Sequence, residues 1–88
     1  MTRKEITEQA LEVMKDFGAS TIVEQLTPYD KFVEETGMDS LDASDYLMKI
    51  EKRYGITFPD KTFEEIKTMK LNDLVEEIKH LTDKKQSV

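Results

Sequence analysis

The chain has 88 residues and a mass of 10.3 kDa, the size of one domain. Nineteen acidic against thirteen basic side chains leave a net charge of −6 and a pI near 4.8, which argues against a nucleic-acid partner. Cysteine is absent, so disulfides, thiolate metal sites and cysteine nucleophiles are excluded. No apolar run is long enough for a membrane span or the core of a signal peptide, and the expected compartment is the cytoplasm.

The segments between the three glycines and two prolines read with helical rather than alternating periodicity, which predicts an all-α domain over residues 1–81. Thr2 to Glu5 forms a capping-box pattern, in which each side chain satisfies a free backbone donor at a helix start. Ile6, Ala10, Val13, Met14 and Phe17 then share one face of a first helix until Gly18 stops it. From Ala19 to Gly37 the period is lost, predicting a long ordered loop with at most a short turn at Thr21–Leu26. Asp39 is a good N-cap for a second helix starting at Ser40, and Asp42 suits its first turn. Ala43, Leu47, Ile50 and Tyr54 give that helix its inner face before Gly55 ends it.

Ile56 to Pro59 reads as an extended connector, because proline turns the preceding residue away from the helical region. A second capping box, Thr62 to Glu65, opens a short third helix that buries Phe63 and Ile66. Leu71, Leu74, Val75, Ile78 and Leu81 form a complete apolar stripe and predict a fourth helix. Residues 82–88 lack any period and are expected to form a flexible tail.

Ser40 is the residue that departs from a plain helical bundle: a serine at a helix start, flanked by carboxylates, after a loop ending in glycine. On position alone it is a helix-start residue. As a nucleophile it lacks a base, since the only histidine, His80, falls on the fourth helix with no partner at a catalytic spacing. A helix N-terminus does offer free N–H groups and a positive dipole end, so a phosphate ester on Ser40 fits better than catalysis.

Gly37-Met38-Asp39-Ser40-Leu41-Asp42, with Tyr46-Leu47-Met48-Lys49-Ile50-Glu51 and Ile56-Thr57-Phe58-Pro59-Asp60 after it, closely resembles the acyl carrier proteins. The match is ungapped from about Leu26 to Asp60 and continues more loosely to Ile78. Asp-Ser-Leu is that family's attachment signature. The resemblance implies a four-helix bundle of acyl-carrier type, with three principal helices and one short one. It further implies that Ser40 accepts 4′-phosphopantetheine from coenzyme A through a separate, magnesium-dependent phosphopantetheinyl transferase. The arm's thiol then holds acyl groups as thioesters, so that the chain is a carrier and not an enzyme.

Between Asp30 and Glu51 stand seven acids and two bases, a local net charge of −5, suited to steering basic docking surfaces of acyl-loading and acyl-transferring enzymes. The expected docking residues are Glu34, Glu35, Asp39, Leu41, Asp42, Asp45, Met48 and Glu51. The resemblance also implies an interior that opens to shelter an acyl chain, with Phe32, Leu47, Ile50, Phe58, Phe63, Ile66, Leu71 and Leu74 as its walls. No metal site is expected, because Asp39, Asp42 and Asp45 lie three apart on a helix and not around a calcium loop. A monomer is expected from the even polar coverage.

Several residues depart from the family pattern. Ser44 stands where an aliphatic residue is usual, Tyr46 replaces a leucine, Lys52 and Arg53 replace acids, and Thr36 replaces a leucine. Two extra residues fall near Met69-Lys70. These changes make a carrier for a specialised lipid or secondary-metabolite pathway as reasonable as one for fatty-acid synthesis. The alternatives are an aminoacyl or peptidyl carrier, or an unmodified acidic helical module that only docks partners.

Overall fold

A computed structural model describes residues 1–86, Gln86 by its backbone alone. The two capping boxes both form. Thr2 accepts the Glu5 N–H at 3.2 Å and opens α1 (Arg3–Met14), and Thr62 accepts the Glu65 N–H at 3.1 Å and opens α5 (Phe63–Thr68). Asp39 caps α4 (Ser40–Tyr54) by accepting the Asp42 N–H at 2.8 Å. Each of these starts is set by residues three positions apart, which is why each was readable in the sequence.

The stretch expected to be a loop holds two short helices, α2 (Ser20–Glu24) and α3 (Phe32–Thr36). Neither Ala19 nor Lys31, their N-caps, makes a side-chain cap. What holds them is burial of Val23, Phe32 and Val33 in the core, a tertiary force with no local signature. Among the described residues the fold is therefore all-α as expected, but with three long and three short helices instead of three and one.

The intervening turn caps α6 (Leu71–Gln86) from across the chain. The Leu71 N–H donates to the Asp30 carbonyl and the Asn72 N–H to the Pro28 carbonyl, both at 2.9 Å, while Asp73 accepts the Lys70 N–H at 2.9 Å. Donors that a helix start leaves free are thus satisfied by a segment forty residues away. The helix also runs past Leu81, so the coil expected from Thr82 is corrected. Thr82 is buried with its hydroxyl on the Lys79 carbonyl at 3.0 Å, and Lys85 reaches the Tyr54 carbonyl at the end of α4 at 3.5 Å. The last two residues of the expected tail, 87 and 88, lie outside the described residues.

α1 packs against α4 and α6, α5 closes on α3 and α4, and α2 lies against α1 and α3. Ile6, Ala10 and Met14 of α1 meet Ala43, Tyr46 and Ile50 of α4 and Leu71, Leu74 and Ile78 of α6 in one core. Tyr46 is fully buried between Phe17 and Phe32, whose ring centres lie 5.8 and 5.9 Å away, and its hydroxyl donates to the Ala10 carbonyl at 2.8 Å. Burial raises its pKa well above the usual tyrosine value. α3 and α4 end on Gly37 and Gly55 at φ of 75° and 63°, the left-handed conformation that glycine adopts without strain.

Candidate functional site

Asp39, not Ser40, caps α4, and this division of labour frees the serine. Ser40 is the first residue of a fifteen-residue helix, it is exposed, and its hydroxyl has no protein partner among the described residues. The N–H groups of Ser40 and Leu41 are likewise without acceptors there, so the positive end of the helix faces solvent beside the hydroxyl. His80 sits on the exposed side of α6 with Asp73, Glu76 and Glu77, away from the residues around Ser40. The serine therefore has no imidazole next to it among the described residues.

Below Ser40 runs an open groove of about 240 Å³. One wall is a stripe of α4, Ser40, Ser44, Leu47, Met48 and Glu51; the other is the connector and α5, with Phe58, Phe63 and Ile66. Four of the eight residues expected to wall an acyl pocket, Leu47, Phe58, Phe63 and Ile66, line it. The other four, Phe32, Ile50, Leu71 and Leu74, are core behind it and do not reach the groove. Periodicity says that a side chain turns inward, not which interior surface it meets.

The groove also contains residues that the sequence reading left out of the pocket. Ser44, four positions after Ser40, falls on the same helix face. Pro59, Asp60 and Lys61 come from the connector, where no periodicity points to a shared wall. Lys61 pairs with Glu77 of α6 at 3.3 Å, and both side chains are largely shielded. Tyr46, which departs from the family pattern, does not line the groove; it joins α4 to α1.

Among the expected docking residues, Leu41 is 74% and Met48 50% exposed, one helical repeat of seven apart on the outer face of α4. Glu34, Glu35, Asp39, Asp42 and Asp45 surround them, and none makes an ion pair among the described residues. Glu51 is placed differently: it is half-buried and accepts the Phe58 N–H at 2.7 Å, holding the connector against α4. Among the described residues no group of three or more histidine or acidic side chains is arranged to hold a metal ion.

Comparison with known proteins agrees with this geometry. The family model described as the phosphopantetheine attachment site matches residues 10–78. A provisionally named mitochondrial acyl carrier protein of Schizosaccharomyces pombe is 33% identical over 66 residues, which cover 75% of this chain and 59% of that one. Acyl carrier protein 2 of Arabidopsis thaliana, a mitochondrial protein, is 30% identical over 71 residues, covering 81% of this chain and 56% of its own. The chain thus spans somewhat more than half the length of these relatives. It belongs to the acyl carrier protein family, whose members are carriers and not enzymes and whose cofactor is 4′-phosphopantetheine.

Proposed function

We propose that Ser40 Oγ carries the 4′-phosphopantetheine arm and that the chain, acting as a monomer, presents acyl thioesters to partner enzymes. The observation that carries this reading is the free, exposed hydroxyl at the start of α4, next to two unclaimed N–H groups and above a groove. An anionic phosphodiester fits there because the helix dipole and the N–H groups offset its charge. Asp39 keeps that start fixed by holding the Asp42 N–H, so the hydroxyl remains available.

In the attachment step Ser40 Oγ bonds to the pantetheine-side phosphorus of coenzyme A. The bond from that phosphorus to adenosine 3′,5′-bisphosphate breaks, and the serine proton leaves with a base of the phosphopantetheinyl transferase. The chain's one histidine lies away from Ser40, which is consistent with a separate enzyme doing this work. The bound arm supplies the thiol that a cysteine-free chain lacks.

The rest of the site serves encounter and shelter. Unpaired carboxylates of Glu34, Glu35, Asp39, Asp42 and Asp45 attract basic surfaces of the transferase and of acyl-loading and acyl-transferring enzymes, while Leu41 and Met48 provide apolar contact. Leu47, Phe58, Phe63 and Ile66 give part of an acyl chain an apolar wall. The pathway is fatty-acid synthesis or a specialised lipid or secondary-metabolite route. Both relatives are named as mitochondrial, which favours that organelle over the cytoplasm expected from composition. No described helix is long and apolar enough to cross a membrane.

The test is intact mass before and after incubation with coenzyme A, magnesium and a broad-specificity transferase. One phosphopantetheine is expected on the wild type and none on Ser40→Ala, with helical circular dichroism unchanged. A folded wild-type sample that gains nothing with two different transferases returns Ser40 to the role of a helix-start residue in an unmodified docking module.

A further inference from the structure

The groove beside Ser40 is small and only partly apolar. Its volume of about 240 Å³ corresponds to roughly eight water-sized groups at ~30 Å³ each. Among its apolar walls stand five hydrogen-bonding side chains, Ser40, Ser44, Glu51, Asp60 and Lys61. Two of them are engaged: Glu51 by the Phe58 N–H at 2.7 Å, and Lys61 by Glu77 at 3.3 Å. Ser44 has no protein partner among the described residues.

A hydroxyl inside a helix usually has a local option, a bond back to the carbonyl four residues earlier. Thr7 takes it, donating to the Arg3 carbonyl at 2.8 Å, and so does Thr36, to the Phe32 carbonyl at 2.7 Å. Ser44 does not; it is exposed to solvent and lines the groove one turn below Ser40, about 6 Å along the helix axis. A saturated chain entering here strips water from that hydroxyl and gives nothing back, whereas a chain bearing an oxygen replaces the lost bond. Where binding buries a hydrogen-bonding group, ligands that satisfy it are favoured over those that leave it unpaired.

We propose that Ser44 is a specificity-determining residue, selecting short acyl cargo that bears a hydroxyl or keto oxygen over a saturated chain of the same length. This rests on Ser40 as the attachment point. About six carbons plus the oxygen fill the groove, and longer saturated chains remain outside it. The polar residue where the family pattern has an aliphatic one is then the feature that adapts this carrier to partly oxidised intermediates.

The test uses the arm-bearing protein, its mass gain verified first, loaded with hexanoyl or 3-hydroxyhexanoyl groups. Two readouts apply: amide chemical shifts of Ser44, Leu47, Phe58 and Phe63, and the rate at which hydroxylamine cleaves the thioester. In the wild type the 3-hydroxyhexanoyl thioester is expected to be cleaved about threefold more slowly than the hexanoyl one, the size of one net hydrogen bond. Ser44→Val is expected to remove or invert that preference, and Ser44→Thr, which keeps the hydroxyl, to restore it. Equal protection of the two thioesters, or a preference that survives in Ser44→Val, overturns this inference and leaves Ser40 as the attachment point. Failure to gain the arm overturns both.

Discussion

The two ends of α4 are built for opposite tasks. Around its first turns, Glu34, Glu35, Asp39, Asp42 and Asp45 lie without ion-pair partners among the described residues, and the Ser40 hydroxyl is unclaimed there. Further along, four polar side chains are tied to α1 or the turn after it. Tyr46 holds the Ala10 carbonyl, Lys49 meets Asp16 at 3.4 Å, and Arg53 and Tyr54 both reach Gln9, at 3.4 and 2.7 Å. Lys52 and Arg53 also suit the negative end of the helix dipole. One helix thus joins a firmly fixed half to a half whose charges are left for partners, and a carrier needs both. The arm must leave from a fixed point, and the surface around it must stay free for a succession of enzymes.

Removing the fixed half's main attachment should have the largest effect. Tyr46→Ala deletes a buried ring packed on two others and should cost about 3–5 kcal/mol, read as a lowered urea midpoint. In a domain of this size that is a large share of total stability. The variant should still accept the arm on whatever fraction remains folded. A Tyr46→Ala protein as stable as wild type would mean that α4 is held by something other than α1.

Reversing charge at the two ends sharpens the comparison. Asp45→Lys should slow association with the transferase about tenfold at low salt, and the loss should shrink as salt rises. Lys52→Glu, on the other half, should change the same rate less than about twofold. Stopped-flow rates at two ionic strengths check both. Equal effects would mean that partners respond to overall charge and not to the surface around Ser40.

Asp39 belongs to both halves of the argument, as a docking charge and as the cap of α4. Asp39→Ala should cost about 1 kcal/mol by loss of the Asp42 N–H bond, and Asp39→Asn should recover most of that while leaving the charge absent. Thermal unfolding separates the capping role, and transferase kinetics the electrostatic one.

The start of α4 was legible because Asp39, Ser40 and Asp42 act on one another within a single turn. The same holds for Thr2 with Glu5 and Thr62 with Glu65. α2 and α3 were not legible, because Val23, Phe32 and Val33 are held by contacts with distant elements and not by their neighbours in sequence. The groove was half legible. Its α4 wall follows from steps of three and four residues after Ser40, whereas Pro59, Asp60 and Lys61 arrive through the path of an aperiodic connector. That Leu71 and Leu74 lie in the core and do not line the groove was not legible for a related reason: an apolar stripe identifies the buried side of α6 without saying which interior surface it meets.

The smallest effect concerns pH, and it bears chiefly on Tyr46, since burial also raises Tyr54 but far less. Burial pushes its folded-state pKa well above the ordinary value of 10.0, so the native chain keeps the phenol neutral where the unfolded chain begins to ionise it. A raised folded-state pKa contributes stability that is fully present below pH 10 and is lost as pH rises beyond it, because the unfolded state then sheds a proton that the native state retains. By pH 10.5 the loss from this one group should be just under about 1 kcal/mol. Tyr46→Phe, which gives up the bond to Ala10 but keeps the ring, should start about 1 kcal/mol less stable and then decline less steeply between pH 9 and 10.5. Urea midpoints at those two pH values for the two proteins give the comparison directly. Parallel declines would show that the phenol meets water in the native state and that the union of α4 with α1 is looser than a fully buried tyrosine implies.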